Sequence, residues 1–327
     1  MNNKNIGIEK ISYYLPKNYI TSSDLSNKYG YDKDFIEKKV GVNKLFIAED
    51  MSTTDMAEKA LELLLIDNEH LRDKIELLVV CTQTPEYQLP QISSQLQYRC
   101  KLSNSISAFD ISLGCSGYVY GLSVLESLLD THGLNYGVLI TTEKYSSIID
   151  DYDKNTKCLF SDAASATLLS RDGKLIPGKY KFGTDGSFYD SLIVNKKEDD
   201  RGCVNNVLHM NGRNIFNFTV GKIPNEILST CAINGLQEQE IDNFVIHQAS
   251  SYVINSIASR LSSNNIENKF VNYMHLFGNT VSSSIPISLC RLTNNLENIK
   301  STILISGFGV GLSWGTVVLF NNKKGFL

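Results

Sequence analysis

Three short stretches of this 327-residue chain carry side chains suited to covalent chemistry: Leu113-Gly114-Cys115-Ser116-Gly117, His247-Gln248-Ala249 and Phe277-Gly278-Asn279-Thr280. Cys115 follows the apolar run Phe109-Asp110-Ile111. It precedes Val119, Leu122, Leu125, Leu128 and Leu129, whose three- and four-residue spacing marks one apolar face of a helix. The thiol is therefore expected at or next to a helix N-terminus, where free amides and the dipole favour a negative sulfur and lower its pKa. Gly114 and Gly117 suit a tight turn and close approach of a ligand to the backbone. A packing cysteine is the competing reading, because free cysteine is among the most buried residue types. His247 at a strand end also has a structural alternative, and Asn in Gly-Asn-Thr is ordinary turn chemistry. A carboxamide cannot act as a base, so Asn279 suits stabilising an anion rather than abstracting a proton.

An internal repeat would bring the three together. Ile75-Glu76-Leu77-Leu78-Val79-Val80-Cys81-Thr82-Gln83 returns as Ile241-Asp242-Asn243-Phe244-Val245-Ile246-His247-Gln248-Ala249. Val138-Leu139-Ile140-Thr141 is echoed by Ile303-Leu304-Ile305-Ser306, and Ala166-Thr167-Leu168-Leu169 by Gly315-Thr316-Val317-Val318. Between these, the Cys115 turn has its counterpart in a strand Phe270-Val271-Asn272 leading to Asn279 and a second helix. The order predicts a duplicated α/β fold with halves at 1–170 and 171–327. Equivalent positions meet across its pseudo-twofold axis, so Cys115, His247 and Asn279 are expected to converge.

Other elements follow from pattern. Ile6 to Tyr14 reads as a strand, Thr21-Ser22-Ser23-Asp24 as a helix start, and Asp34 to Val40 as a helical piece capped by Gly41. Ser52-Thr53-Thr54-Asp55 opens a helix with Met56, Ala60, Leu63 and Leu64 facing one way. Leu77 to Thr82 and Gly137 to Thr142 are strands buried on both faces, and Ile92 to Cys100 is a helix. Lys196 to Gly202 reads as a charged surface loop.

Composition excludes several classes. Net charge is -4 with dispersed lysines and arginines, so no nucleic-acid surface is expected. No apolar run approaches the ~20 residues that cross a bilayer and Met1 to Tyr14 has no secretory core, so a soluble cytoplasmic protein is expected. Seven scattered cysteines without C-x-x-C spacing argue against a disulfide framework and against a zinc site, and no metal is expected. A nucleotide-binding α/β module would need a G-x-G-x-x-G or P-loop, which the chain lacks. A Cys-His-Asn hydrolase shares the residue order, but Cys115 lacks the Cys-Gly-Ser-Cys-Trp context of papain-like proteases.

With Gly307-Phe308-Gly309-Val310-Gly311-Leu312-Ser313-Trp314-Gly315 added to the three motifs, the chain resembles the β-ketoacyl-ACP synthase III family of the thiolase superfamily from about Ile6 to Phe320. The resemblance implies the duplicated, five-layered αβαβα thiolase fold, usually as a homodimer. It implies a decarboxylative Claisen condensation of an acyl primer with malonyl-ACP, in which Cys115 carries the acyl group, the backbone amides of Cys115 and Val310 form the oxyanion hole, and His247 and Asn279 stabilise the enolate. An acyltransferase handing the acyl group to a hydroxyl or amine is the alternative within the fold. No permanently bound cofactor is implied; the substrates are thioesters of coenzyme A or of the acyl carrier protein (ACP), the expected partner.

Phe35, Lys39, Leu89, Arg213, Phe216, Tyr252 and Gly309 are the implied substrate-binding positions. Phe35 stands where the family commonly has Trp, Lys39 and Tyr252 where it has Arg, and Asp153-Lys154-Asn155-Thr156 where it often has Asp-Arg-Gly-Thr. These departures touch the coenzyme A clasp and leave an acyl-ACP primer open, with Arg213, Lys222 and Arg260 as candidate carrier contacts. In the family, the loop corresponding to Pro85-Glu86-Tyr87-Gln88-Leu89-Pro90 crosses the dimer interface and closes the partner's acyl pocket. Leu89, where Phe is frequent, implies a deeper pocket and primers longer than acetyl.

Overall fold

The computed structural model describes residues 6–66, 68–198, 204–261, 265–294, 296 and 301–322. Its first half runs β1 (Gly7–Tyr14), β2 (Tyr19–Thr21), α1 (Ser22–Tyr29), β3 (Lys44–Phe46), α2 (Thr53–Leu65), β4 (Leu77–Cys81), α3 (Ile92–Arg99), β5 (Ser107–Ile111), α4 (Gly117–Thr131), β6 (Tyr136–Glu143), α5 (Lys154–Lys157) and β7 (Ala163–Ser170). There follow β8 (Leu175–Pro177), β9 (Lys181–Thr184), β10 (Leu192–Glu198), β11 (Val204–Met210), α6 (Gly212–Ile233), β12 (Asn243–Ile246), α7 (Ser251–Arg260), α8 (Met274–Phe277), α9 (Ser284–Leu292), β13 (Ile303–Gly309) and β14 (Ser313–Asn321).

Local chemistry sets the ends. Thr21 accepts from the Asp24 amide while Asp24 accepts from the Thr21 amide, and Ser52 and Asp55 do the same at α2. Each such box satisfies two otherwise orphaned amides at the start of its helix. Gly41 closes the π-helical turn Phe35–Val40 at φ 89°, a conformation that glycine adopts without penalty.

The repeat is visible in the pairing. One half orders its strands β5-β4-β6-β7-β1 and the other β12-β13-β14-β8, joined where Ile8 of β1 pairs with Leu175 of β8. β4 lies parallel to β5 and β6, β12 is parallel to β13, and the remaining pairs along this path are antiparallel. The expected strand at Phe270 to Asn272 is reduced to a single parallel bridge between Phe270 and Phe244, since the chain leaves the sheet edge after one residue.

Five layers follow from the contacts. α2 and α3 cover the outer face of the first sheet region, and α6 and α7 that of the second. α4 and α9 lie between them: α4 touches β4 and β6 on one side and β13 and β14 on the other. Leu122, Leu125 and Leu129 of α4 and Ile285 and Leu289 of α9 share one core with Val79, Leu139, Val245, Ile305 and Val317. A strand covered on both faces is apolar along its length, as β4 is, which is why it reads as a continuous run; β13 is buried at every position and carries one polar side chain, Ser306, bonded to Thr316 at 2.9 Å.

Two further expectations are corrected. Leu63 is 42% exposed, because the 100° step places Met56, Ala57, Ala60, Leu61 and Leu64 on the buried face of α2 and turns Leu63 outward. Lys196 to Glu198 end strand β10 of a hairpin with β11, and residues 199–202 lie outside the described residues, as does Cys203. Among the described residues no helix is long and apolar enough to cross a membrane, and no group of three or more His, Cys, Asp or Glu could hold a metal ion.

Candidate active site

β5 delivers the chain to the turn at Gly114, and Cys115 precedes Ser116, the N-cap of α4. Cys115 therefore sits just before the helix, not within it. β13 presses against this point: a Cβ on Gly307 would meet the Cys115 carbonyl oxygen at 2.7 Å, and one on Gly309 would meet Cys115 Sγ at 2.9 Å. Glycine is what allows the approach. The amides of Val310 and of Cys115 itself hydrogen-bond to the sulfur. The loop that brings Val310 is tied down by Ser313, whose hydroxyl donates to the Val310 carbonyl at 2.9 Å and lies 2.7 Å from Ser116 Oγ. Two amides converging on one sulfur are the geometry that holds an oxyanion formed there.

The expected lowering of the thiol pKa is not found. Burial, followed by the nearby Glu143 carboxyl, pushes Cys115 up to about 12, and the two amides only moderate the rise. Cys115 is 4% exposed and stands two residues before Gly117, the first residue of the helix, so loss of water outweighs the helix terminus. At neutral pH the resting group is a thiol, and attack requires its proton to leave.

His247 follows β12, its amide donating to the Ser306 carbonyl of β13 at 2.8 Å. Its ring stands edge-on to Phe308 at 5.6 Å, with Nδ1 2.7 Å from Ser284 Oγ. Burial pushes the imidazole down to about 3, against a hydrogen bond to the Val281 backbone that acts the other way, so the ring is neutral.

Asn279 reaches the Cys115 side because its turn is bonded into the first half: its amide donates to the Leu159 carbonyl at 3.0 Å and its carbonyl accepts from Ser161 at 2.8 Å. Its side-chain Oδ1 accepts from the Val281 amide at 2.9 Å, which leaves Nδ2 as the donor for the cavity. Thr141 and Ser283 hydroxyls meet at 2.8 Å, and Ser282 donates to Glu143 at 2.9 Å, fixing the same turn to β6.

Cys115, His247 and Asn279 line one cavity of about 510 Å³, as do Phe35, Lys39, Arg213, Phe216, Tyr252 and Gly309. Phe216 and Tyr252 stack at 5.1 Å, and the Lys39 ammonium lies 5.2 Å from the Tyr252 ring and 5.8 Å from that of Phe35. Around Cys115 the wall is apolar, built from Tyr145, Phe160, Leu192, Leu208 and Val281. Leu89 is 82% exposed and takes no part in the cavity of its own chain. Lys222 is engaged elsewhere, 3.2 Å from Glu226 and over the Trp314 ring, and Arg260 lies at the end of α7 outside the cavity lining.

Sequence reasoning missed Ser284 and Glu143. Glu143 had a signal, an acid ending a buried apolar run; Ser284, one of three consecutive serines, had none.

Comparison with known proteins identifies the family of the chain. The family described as 3-oxoacyl-[acyl-carrier-protein (ACP)] synthase III matches residues 109–186, and its C-terminal region matches 231–320. A relative named beta-ketoacyl-[acyl-carrier-protein] synthase III in Lactococcus lactis subsp. cremoris (strain SK11) is 31% identical over 323 residues, covering 95% of this chain and 98% of the relative. The crystal structure of a 3-oxoacyl-(acyl-carrier-protein) synthase III superposes with a TM-score of 0.87 at 31% identity, covering 96% of this chain and 99% of that one. That of the 3-oxoacyl-[acyl-carrier-protein] synthase III from Aquifex aeolicus VF5 does so at 0.87 and 28% identity, covering 96% and 99%. With its thiolase fold, its paired halves and the match along nearly its whole length, the chain belongs to the 3-oxoacyl-[acyl-carrier-protein] synthase III family.

Proposed function

We propose that this protein is an acyltransferase that condenses an acyl thioester primer with malonyl-ACP, with loss of CO2, to give a 3-oxoacyl-ACP for fatty acid synthesis. The observation that carries the reading is the opening of a thiol, a neutral imidazole and a carboxamide onto one cavity, with two amides on the sulfur. Cys115 attacks the primer carbonyl, and the developing oxyanion takes the amides of Cys115 and Val310. The primer's thiol leaves with the proton that the Cys115 thiol gives up. Malonyl-ACP then loses CO2, its enolate oxygen accepting from His247 and from Asn279 Nδ2; the enolate carbon attacks the acyl-Cys115 carbonyl, and the tetrahedral adduct collapses by breaking the carbon–sulfur bond, the expelled Cys115 sulfur taking a proton from solvent to regenerate the thiol. Both donors are neutral, so neither can trap the enolate as a permanent ion pair. The apolar wall of Phe160, Leu192 and Leu208 takes the acyl chain, while Phe35, Lys39, Arg213, Phe216 and Tyr252 line the approach of the pantetheine arm, carried by coenzyme A or by ACP.

In this reading the enzyme works in the cytoplasm as a homodimer, with residues 1–170 and 171–327 as its two halves and with Leu89 reaching the partner's acyl pocket. The test is kinetic. Asn279→Ala should still acylate Cys115 but lose about 100-fold or more in malonyl-dependent CO2 release, the scale for removing one such donor. Equal loss in both half-reactions would assign Asn279 a structural role instead.

A further inference from the structure

The donor role of His247 demands a proton on one particular ring nitrogen. An enolate oxygen meeting a bare imidazole lone pair would be repelled, so the nitrogen that faces the cavity must carry the hydrogen. Which nitrogen does so is set by the partner of the other one.

That partner is Ser284, the first residue of α9, buried, with Oγ 2.7 Å from Nδ1. The same oxygen lies 3.4 Å from the Gln248 amide, which can only donate. With an N–H directed at its lone pair, the hydroxyl has its own hydrogen free to give to Nδ1. The rest of the surroundings hold this pair still. Gln248 is itself fixed, its Nε2 donating to the Ile246 and Val271 carbonyls and its Oε1 accepting from the Tyr273 amide. Phe308 supports the ring edge-on, and Ser288 donates to the Ser284 carbonyl at 2.7 Å, within the first turns of the helix.

We propose that Ser284 is a positioning residue whose hydroxyl donates to Nδ1 of His247 and holds the imidazole in its Nε2–H tautomer, so that Nε2–H is the donor presented to the enolate. The inference rests on the function proposed above. A hydroxyl suits the task where a carbonyl would not: a carbonyl only accepts, and would draw the proton onto Nδ1. Burial that keeps the ring neutral makes the choice of tautomer matter, since a doubly protonated ring would present a hydrogen on both sides.

Protein labelled with 15N in its five histidines tests this directly, with the His247 resonances assigned by their loss in His247→Asn. The expected result is a proton on Nε2 and none on Nδ1. In kinetics, Ser284→Ala should lower the rate constant for CO2 release from a malonyl thioester by about 10-fold or more, with KM and Cys115 acylation changed by less than about 2-fold, and Ser284→Thr should restore most of the rate. A proton on Nδ1, donated to Ser284 or to the Val281 backbone, would overturn the inference. So would Ser284→Thr failing together with Ser284→Ala, or both half-reactions falling equally, because those mark a structural role. Wild-type protein that releases no CO2 from malonyl-ACP while its His247 carries the Nε2 proton would instead remove the functional reading on which the inference stands.

Discussion

Replacing Glu143 by Gln should stabilise this protein, and by an amount that grows with pH. Glu143 is fully buried at the end of β6; one carboxyl oxygen accepts from the Gln83 amide and the Thr84 hydroxyl at 3.1 Å each, the other from Ser282 at 2.9 Å. Thr84 accepts from the Lys144 amide, so its own hydrogen must go to Glu143. Any proton on the carboxyl therefore lies on the oxygen facing Ser282. A glutamine can copy that form, its oxygen taking the two donors and its amino group donating to Ser282. Burial raises the Glu143 pKa from 4.5 to about 8. The sign follows from linkage: a folded-state pKa above the unfolded one contributes stability that is complete below about pH 4.5 and is lost as pH rises through about 8. At pH 7 folding must load a proton against a gap of about 2.5 units, roughly 3 kcal/mol, and above pH 8 the cost levels near 5 kcal/mol. Urea unfolding of Glu143→Gln and wild type at one protein concentration, from pH 5 to 9, should show near-equal stability at pH 5 and a gap of about 3 kcal/mol at pH 7, about 4 °C in Tm for a chain of this size. A gap that stays flat or shrinks with pH would refute the reasoning.

Gly309→Ala should fold but fail to acylate, because its Cβ would stand 2.9 Å from the Cys115 sulfur; Gly186→Ala, with open space around its Cβ, serves as the control, and equal acylation of the two proteins would contradict the packing. Leu89→Phe should shift preference from butyryl or hexanoyl thioesters toward acetyl, since each buried methylene is worth about 0.8 kcal/mol, roughly 4-fold. An unchanged preference ratio, or a monomer by sedimentation, would remove Leu89 from the acyl pocket.

How far the sequence could be read depended on whether the deciding physics was local. β4 was legible because a strand covered on both faces is apolar at every position, and β13 because Ile303 to Ser306 echoes Val138 to Thr141. The helix starts at Thr21 and Ser52 were legible because a capping box joins residues three apart. The convergence of Cys115, His247 and Asn279 came from the order of the repeat, which preserves topology. What was lost depends on partners distant in sequence. The match of Ser284 to His247 spans 37 residues and leaves no periodic trace. The thiol pKa was misjudged because a helix start is visible in sequence while desolvation by the opposing glycine strand is not. Lys196 to Glu198 read as a loop from their charge, although strand pairing uses the backbone and leaves such side chains in water.

The central claim is that one thiol carries the acyl group and yields it to a malonyl-derived carbon. The most direct measurement is peptide mass mapping after incubation with a 13C-labelled acyl thioester, followed by a chase with malonyl-ACP. The label should reside on Cys115 alone and pass, on the chase, into a 3-oxoacyl-ACP with one CO2 released per label lost. Stable acylation of another cysteine with Cys115 unmodified, or acyl-Cys115 that malonyl-ACP cannot discharge, would contradict it.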